Sequence, residues 1–154
     1  MAATATVNEE EQVVVLELAG EAYGVDIGRV QEIIRMQPIT RVPNGPANME
    51  GVTNLRGRVI PVLDLRKRFD LEVAPPTRRS RIVVAELGEH TVGLVVDGVS
   101  EVLQVPANAV EPPSSLVTRS ESKLLRGVAK FDDRLVLLLD LEYLTTESNL
   151  DLDA

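Results

Sequence analysis

The sequence contains no cysteine and no tryptophan, only two tyrosines and two phenylalanines, and a single histidine. Without cysteine there can be no disulfide and no thiolate metal site. With so few aromatics the core has to be aliphatic, and a hydrophobic content of 44% over 154 residues can supply it. Acids outnumber bases 24 to 16, a formal charge of −8. The chain therefore lacks the basic balance that nucleic acid or an anionic membrane demands of a main partner. No apolar run approaches the ~18 residues of a membrane helix. The opening "MAATATVNEEEQ" has neither the basic nor the apolar part of a secretory signal. The expectation is a soluble intracellular protein of one domain, or of two joined halves.

Catalytic signatures are also missing. There is no phosphate-binding loop, dinucleotide fingerprint, nucleophile elbow or zinc-protease helix. His90, in "LGEHTVG", has no nucleophile and no orienting carboxylate suggested around it, and reads as a turn histidine. The final "DLDA" is too short for a calcium loop. No catalytic residue, metal or cofactor is expected, and an enzyme is disfavoured. The basic cluster "RRSR" (Arg78, Arg79, Arg81) reads as a solvated or salt-bridging patch rather than an anion site.

What is present is a series of short β-branched runs bounded by Gly and Pro. "VVVLELAG" reads as a strand returned by "EAYGVDI". In "GRVQEIIRM" the stretch is too short for its spacing to decide between helical turn and strand. A short helix is expected at Ala47–Glu50. "GVTNL" and "RVIPVLDL" read as a hairpin turning at Arg56-Gly57. Pro61 lacks an N–H, which predicts an edge or bulged position. Asp64 is placed to cap a turn at "LRKRF". After the loop Leu71–Ser80 the pattern starts again with "RIVVAELG" and "HTVGLVVDGVSEVLQV". A second loop, a helical turn at "KLLRG" and a last hairpin, "GVAKFDDRLVLLLDL", follow. Residues 1–12 and 145–154 read as polar, acidic tails.

The chain repeats itself. Val14–Ile34 aligns without gaps on Val83–Leu103, with seven of 21 positions identical, and Gly51–Leu65 aligns on Gly127–Leu141, with six of 15. Two copies of one unit of short strands result, about 13–70 and 81–144. A unit of ~60 residues is marginal alone, so the halves should share a core. Features kept in both copies, Gly51/Gly127 and Asp64/Asp140, suit backbone and capping demands. Glu32/Glu101 is ambiguous. Asn54, Leu55 and Arg56 occur in one copy only, where the other has Lys130, Phe131 and Asp132, and are the better functional candidates.

Three ordered segments carry a resemblance. "YGVDIGRVQEII" (Tyr23–Ile34), "VPNGPANMEGVTNLRGRVIPVLDLRKRF" (Val42–Phe69) and "VGLVVDGVSEVL" (Val92–Leu103) resemble the CheW family of bacterial chemotaxis adaptors, over about Val13 to Leu144. The resemblance implies an all-β fold with a few short helices: two intertwined five-stranded barrels, similar to Src-homology-3 barrels, around a shared core. It implies a single CheW-like domain over 13–144. It implies a non-catalytic adaptor linking the cytoplasmic tip of chemoreceptors to the regulatory domain of the histidine kinase CheA. Such an adaptor is monomeric alone, cytoplasmic, recruited to receptor arrays, and neither inserted in the membrane nor bound to nucleic acid. The partner-binding positions it implies are Val30 and Glu32 in the Val-Gln-Glu-Ile segment, Gly51 and Arg56 around the first tip, and Val102 in the second half; Ile33 beside Glu32, and the copy-specific Asn54 and Leu55, are counted with them. A module of the same fold serving another kinase pathway, or a regulatory-domain paralogue of CheA, is the alternative. The Pro-rich loop "PPTRR" and the acidic tails lie outside the resemblance.

Overall fold

The computed structural model describes residues 10–43, 49–112, 124–131 and 133–143. Within them the chain alternates short strands and tight turns. β1 (Glu10–Leu18), β2 (Glu21–Asp26) and β3 (Val30–Arg35) come first, with a 3-10 turn at Ile27–Arg29 between the last two. β4 (Met49–Leu55), β5 (Arg58–Asp64) and the single helical turn α1 (Leu65–Arg68) complete the first repeat. β6 (Arg81–Leu87), β7 (His90–Val96), β8 (Gly98–Pro106), β9 (Val110–Glu111), β10 (Leu125–Phe131) and β11 (Arg134–Leu139) form the second.

The two sheets are interlaced across the repeats. One has the order β8-β1-β2-β11-β10-β9, the other β3-β6-β7-β5-β4. Each sheet therefore takes strands from both repeats, and neither repeat could form its sheet alone. Corresponding strands occupy corresponding places, down to the register. Glu32 lies opposite Val84, and its repeat counterpart Glu101 lies opposite Val15, the counterpart of Val84. Each sheet holds one parallel pair, β2 with β11 and β5 with β7. Each then curls closed. Beyond β3, Thr40 forms a bridge to Val52 of β4. Beyond β8, the two residues of β9 pair with β10 in the same way.

Gly24 and Gly93 show why the barrels close tightly. A Cβ on Gly24 would meet Leu138 and Val136 at 3.0 Å and Val13 at 3.4 Å. On Gly93 it would meet Ile82, Val62 and Ile60, which are the repeat counterparts of those three residues. Each barrel has a small interior, Val13, Val15, Val105, Ala129, Val136 and Leu138 in one and Leu55, Ile60, Ile82 and Val84 in the other. The larger core lies between the barrels and includes Leu16, Leu63, Val83, Leu94 and Leu139. β11 serves both, with Val136 and Leu138 turned inward and Leu139 toward the neighbour, as its two-faced apolar sequence demands.

Several expectations change. "VQEIIR" is a strand, β3. Met49 and Glu50 belong to β4 rather than to a helix, and residues 44–48 lie outside the described residues. Leu125–Gly127 are strand, not a helical turn, because Leu125 and Gly127 pair with Leu139 and Leu138 of β11. Glu10–Gln12 belong to β1 and pair with Gln104–Pro106, so the first tail is shorter than expected. The remaining tail residues, 1–9 and 145–154, lie outside the described residues, as does Leu144. Pro61 sits in an inner strand, since β5 is flanked by β4 and β7. It fits because pairing to β7 begins one residue later, at Val62, and because its partner Val52 directs both backbone groups to Thr40 at 2.8 Å. The caps hold as expected: Asp64 accepts from the Arg66 N–H at 2.9 Å and Asp140 from that of Tyr143 at 3.2 Å.

Candidate partner-binding surface

The β4–β5 hairpin turns on two residues, Arg56 and Gly57, with φ of 53° and 85°. Positive φ at both positions is the type I′ geometry that matches strand twist in a two-residue hairpin. Glycine adopts it freely, whereas arginine does so at a cost. Asn54 offsets that cost by accepting the Gly57 N–H at 2.8 Å. Below the turn, Gln37 donates to the Thr53 hydroxyl at 2.8 Å and to the Asn54 carbonyl at 2.6 Å. Thr53 in turn donates to the Pro38 carbonyl at 2.8 Å. These contacts tie the tip to the segment after β3.

From this anchored turn the Arg56 guanidinium folds back onto Glu32 of β3. Its two terminal nitrogens donate to the two carboxylate oxygens, each at 2.5 Å. The Arg56 side chain is nonetheless 71% exposed. Hydrogen bonding from Arg56 holds the Glu32 carboxyl below the usual glutamate range, and Glu32 raises the Arg56 pKa in return. The result is a planar donor group fixed in place while still facing solvent.

The structure thus brings Glu32, Asn54 and Arg56 together. Gly51 and Leu55 have supporting positions. Leu55 is buried in the barrel interior with Ile60, Ile82 and Val84, so its side chain offers nothing to a partner. Gly51 is buried, has a φ of 155°, and a Cβ there would lie 2.3 Å from the Thr40 carbonyl oxygen. It is required for the bridge that closes the barrel. Val30 is half-buried against the core between the barrels. Ile33, opposite Val83 of that core, faces the same side from the sheet edge and is 40% exposed. Val102 is the repeat counterpart of Ile33, exposed on the edge of the other barrel opposite Val14. It does not join the Arg56 tip.

Two exposed apolar residues escaped the sequence reading. Val59 and Leu135 are repeat counterparts, each just past its hairpin tip, and are 69% and 58% exposed. Both lie in runs that read as buried from composition alone. Only the alternation outward from Ile60 and Val136 would have singled them out.

Among the described residues no group of three or more His, Asp or Glu could hold a metal ion, and no helix is long and apolar enough to cross a membrane. A family model described as "CheW-like domain" matches residues 12–149. A chemotaxis protein CheW from Klebsiella aerogenes is 34% identical over 140 residues, covering 91% of this chain and 84% of its own length. One from Thermotoga maritima is 32% identical over 139 residues, covering 90% of each chain. The crystal structure of the scaffolding protein TtCheW from Thermoanaerobacter tengcongensis superposes with a TM-score of 0.82 at 39% identity, over 88% of this chain and 92% of that one. Spanning nearly the whole chain, and agreeing with its interlaced barrels, these matches establish that the protein belongs to the CheW-like family.

Proposed function

We propose that this protein is a non-catalytic adaptor that couples chemoreceptors to the histidine kinase CheA, so that receptor state controls kinase activity. It would work as a single domain over 13–144, in the cytoplasm at receptor arrays, binding the receptor tip and the CheA regulatory domain. The observation that carries the reading is the Arg56 tip. A solvent-facing guanidinium, locked by Glu32 and by a strained turn, stands in the segment that marks the family and is absent from the second copy. Arginine in that state loses little freedom on binding and offers a planar fork to a partner. Exposed Ile33 and Val102 supply apolar contacts at the two barrel edges. Individual contacts of this size are modest, and an array would strengthen them by multivalency.

The test is calorimetric titration into the regulatory domain of the same organism's CheA and into a receptor cytoplasmic fragment. One-to-one saturable binding to each is expected. Failure to bind either at ~100 μM, which corresponds to an association free energy weaker than about −5.5 kcal/mol, would argue for a CheW-like module serving a different kinase pathway.

A further inference from the structure

The repeat gives each surface residue an internal control. On one barrel, Arg35 of β3 lies directly opposite Arg81 of β6. The corresponding pair on the other barrel is Gln104 opposite Gln12. Arg81 donates to the carbonyls of Arg78 and Ser80, each at 2.8 Å, which gathers Arg78 to the same edge. Neighbouring Arg79 is already engaged, bonded to Glu17 at 2.5 Å. Arg35 and Arg78 are exposed and Arg81 is half-buried. Among the described residues none of Arg35, Arg78 and Arg81 has a carboxylate within ion-pairing distance. Like charges directly opposite on a sheet repel. The glutamine pair shows that the strand register does not need them. Ile33, exposed on the same face two residues before Arg35, adds an apolar contact.

We propose that this edge binds an acidic protein segment, its carboxylates on Arg35, Arg78 and Arg81 and an apolar side chain over Ile33. The guanidinium fork matches carboxylates two-pronged. An extended polyanion such as a membrane surface or nucleic acid would meet the remainder of a chain of charge −8 and be repelled. A short segment confined to the edge avoids that repulsion. The identity of the natural partner rests on the adaptor reading, but the surface can be tested without it.

The protein is titrated with a labelled synthetic peptide of six glutamates and a terminal leucine, at low and at physiological salt, and in parallel with phosphatidylglycerol vesicles. Saturable, salt-sensitive peptide binding is expected. Arg35→Gln with Arg78→Gln, which brings the edge toward the uncharged pair of the other barrel, should weaken it at least about tenfold without lowering Tm. Arg41→Gln, an exposed arginine elsewhere, should leave it unchanged. Absence of peptide binding, equal binding by the double variant, or binding to vesicles but not peptide would each overturn the proposal. If the parent protein binds neither the receptor fragment nor the CheA domain, the adaptor reading falls while the peptide result still decides this surface.

Discussion

At the first hairpin tip Glu32 takes the guanidinium of Arg56 from the turn itself. At the second, the corresponding acid Glu101 takes Arg134 at 2.8 Å, the counterpart of Arg58 and not of Arg56. Position 56 has become Asp132 there, and Gly57 has become Asp133, whose φ of 64° keeps the left-handed turn. The crossovers between barrels differ in the same manner. Leading out of β7, Asp97 receives both Nε and a terminal nitrogen of Arg66, at 2.8 and 2.7 Å, and also the Ala19 N–H at 2.8 Å. On the other crossover the polarity is reversed, with Arg29 meeting Glu142, the counterpart of Arg66, at 2.9 Å. That pair is more exposed, with Glu142 at 74%. Duplication has thus kept where a charge pair is needed and left free which residues make it.

The comparison breaks most severely at the bridge glycines. Gly51→Ala should cost about 3 kcal/mol or more, because its Cβ meets backbone at a φ unsuited to side chains. Gly127→Ala meets Val110 Cγ1 at 2.9 Å and the Glu111 carbonyl at 3.1 Å, a neighbour that can yield in part. About 1–2 kcal/mol is expected there. Urea midpoints of the two variants would compare them, and equal losses would mean the two closures are equivalent.

Next in size is the crossover clamp. Arg66→Ala should cost about 1–2 kcal/mol, since it removes charged bonds to a partly buried carboxylate. Arg29→Ala should cost under about 1 kcal/mol, as exposed ion pairs do. The pH dependence has a definite sign. Hydrogen bonding from Arg66 holds the Asp97 carboxyl below its usual range. Its stabilisation is therefore full above the ordinary aspartate value and lost as pH falls below about 4. Thermal melts from pH 6 to 2 should show a steeper acid loss for the parent than for Arg66→Ala.

The smallest expected effect is at Asp64. Burial raises its pKa, with Glu50 adding to the rise, although the cap to Arg66 opposes it. A raised carboxyl penalises the folded state at neutral pH, and the penalty is relieved as pH falls through the folded value. Asp64→Asn keeps the capping oxygen and removes the penalty. Its Tm at pH 7 should equal or exceed the parent's by a degree or two, and the gain on mild acidification should disappear. A lower Tm at pH 7 would show that the charge itself is needed.

Much of the fold is legible in the sequence. The repeat at offsets of 69 and 76 residues specified which strands correspond, and the asymmetry at Asn54–Arg56 marked the tip. Other features depend on contacts distant in sequence. The interlacing of β1 and β2 with β10 and β11 leaves no local trace, because each repeat would read the same in either arrangement. Leu55 looked like a contact residue because it differs between copies, yet it is buried with Ile82 from the other repeat. Leu125–Gly127 looked helical because β10 becomes a strand only through its neighbours. Geometry divides the "RRSR" cluster: Arg79 joins a salt bridge with Glu17, while among the described residues Arg78 and Arg81 have no carboxylate partner.

On the proposed reading, the shared scaffold carries its partner specificity on the first tip. The direct measurement is titration of the variant Asn54→Lys, Arg56→Asp, which gives that tip two of the four residues by which the second tip differs, into the CheA regulatory domain and the receptor fragment. A fold with parent-like circular dichroism is expected, together with a loss of at least about tenfold in affinity for one of the two partners. Parent-like affinity for both would contradict it and move the binding surface away from Arg56.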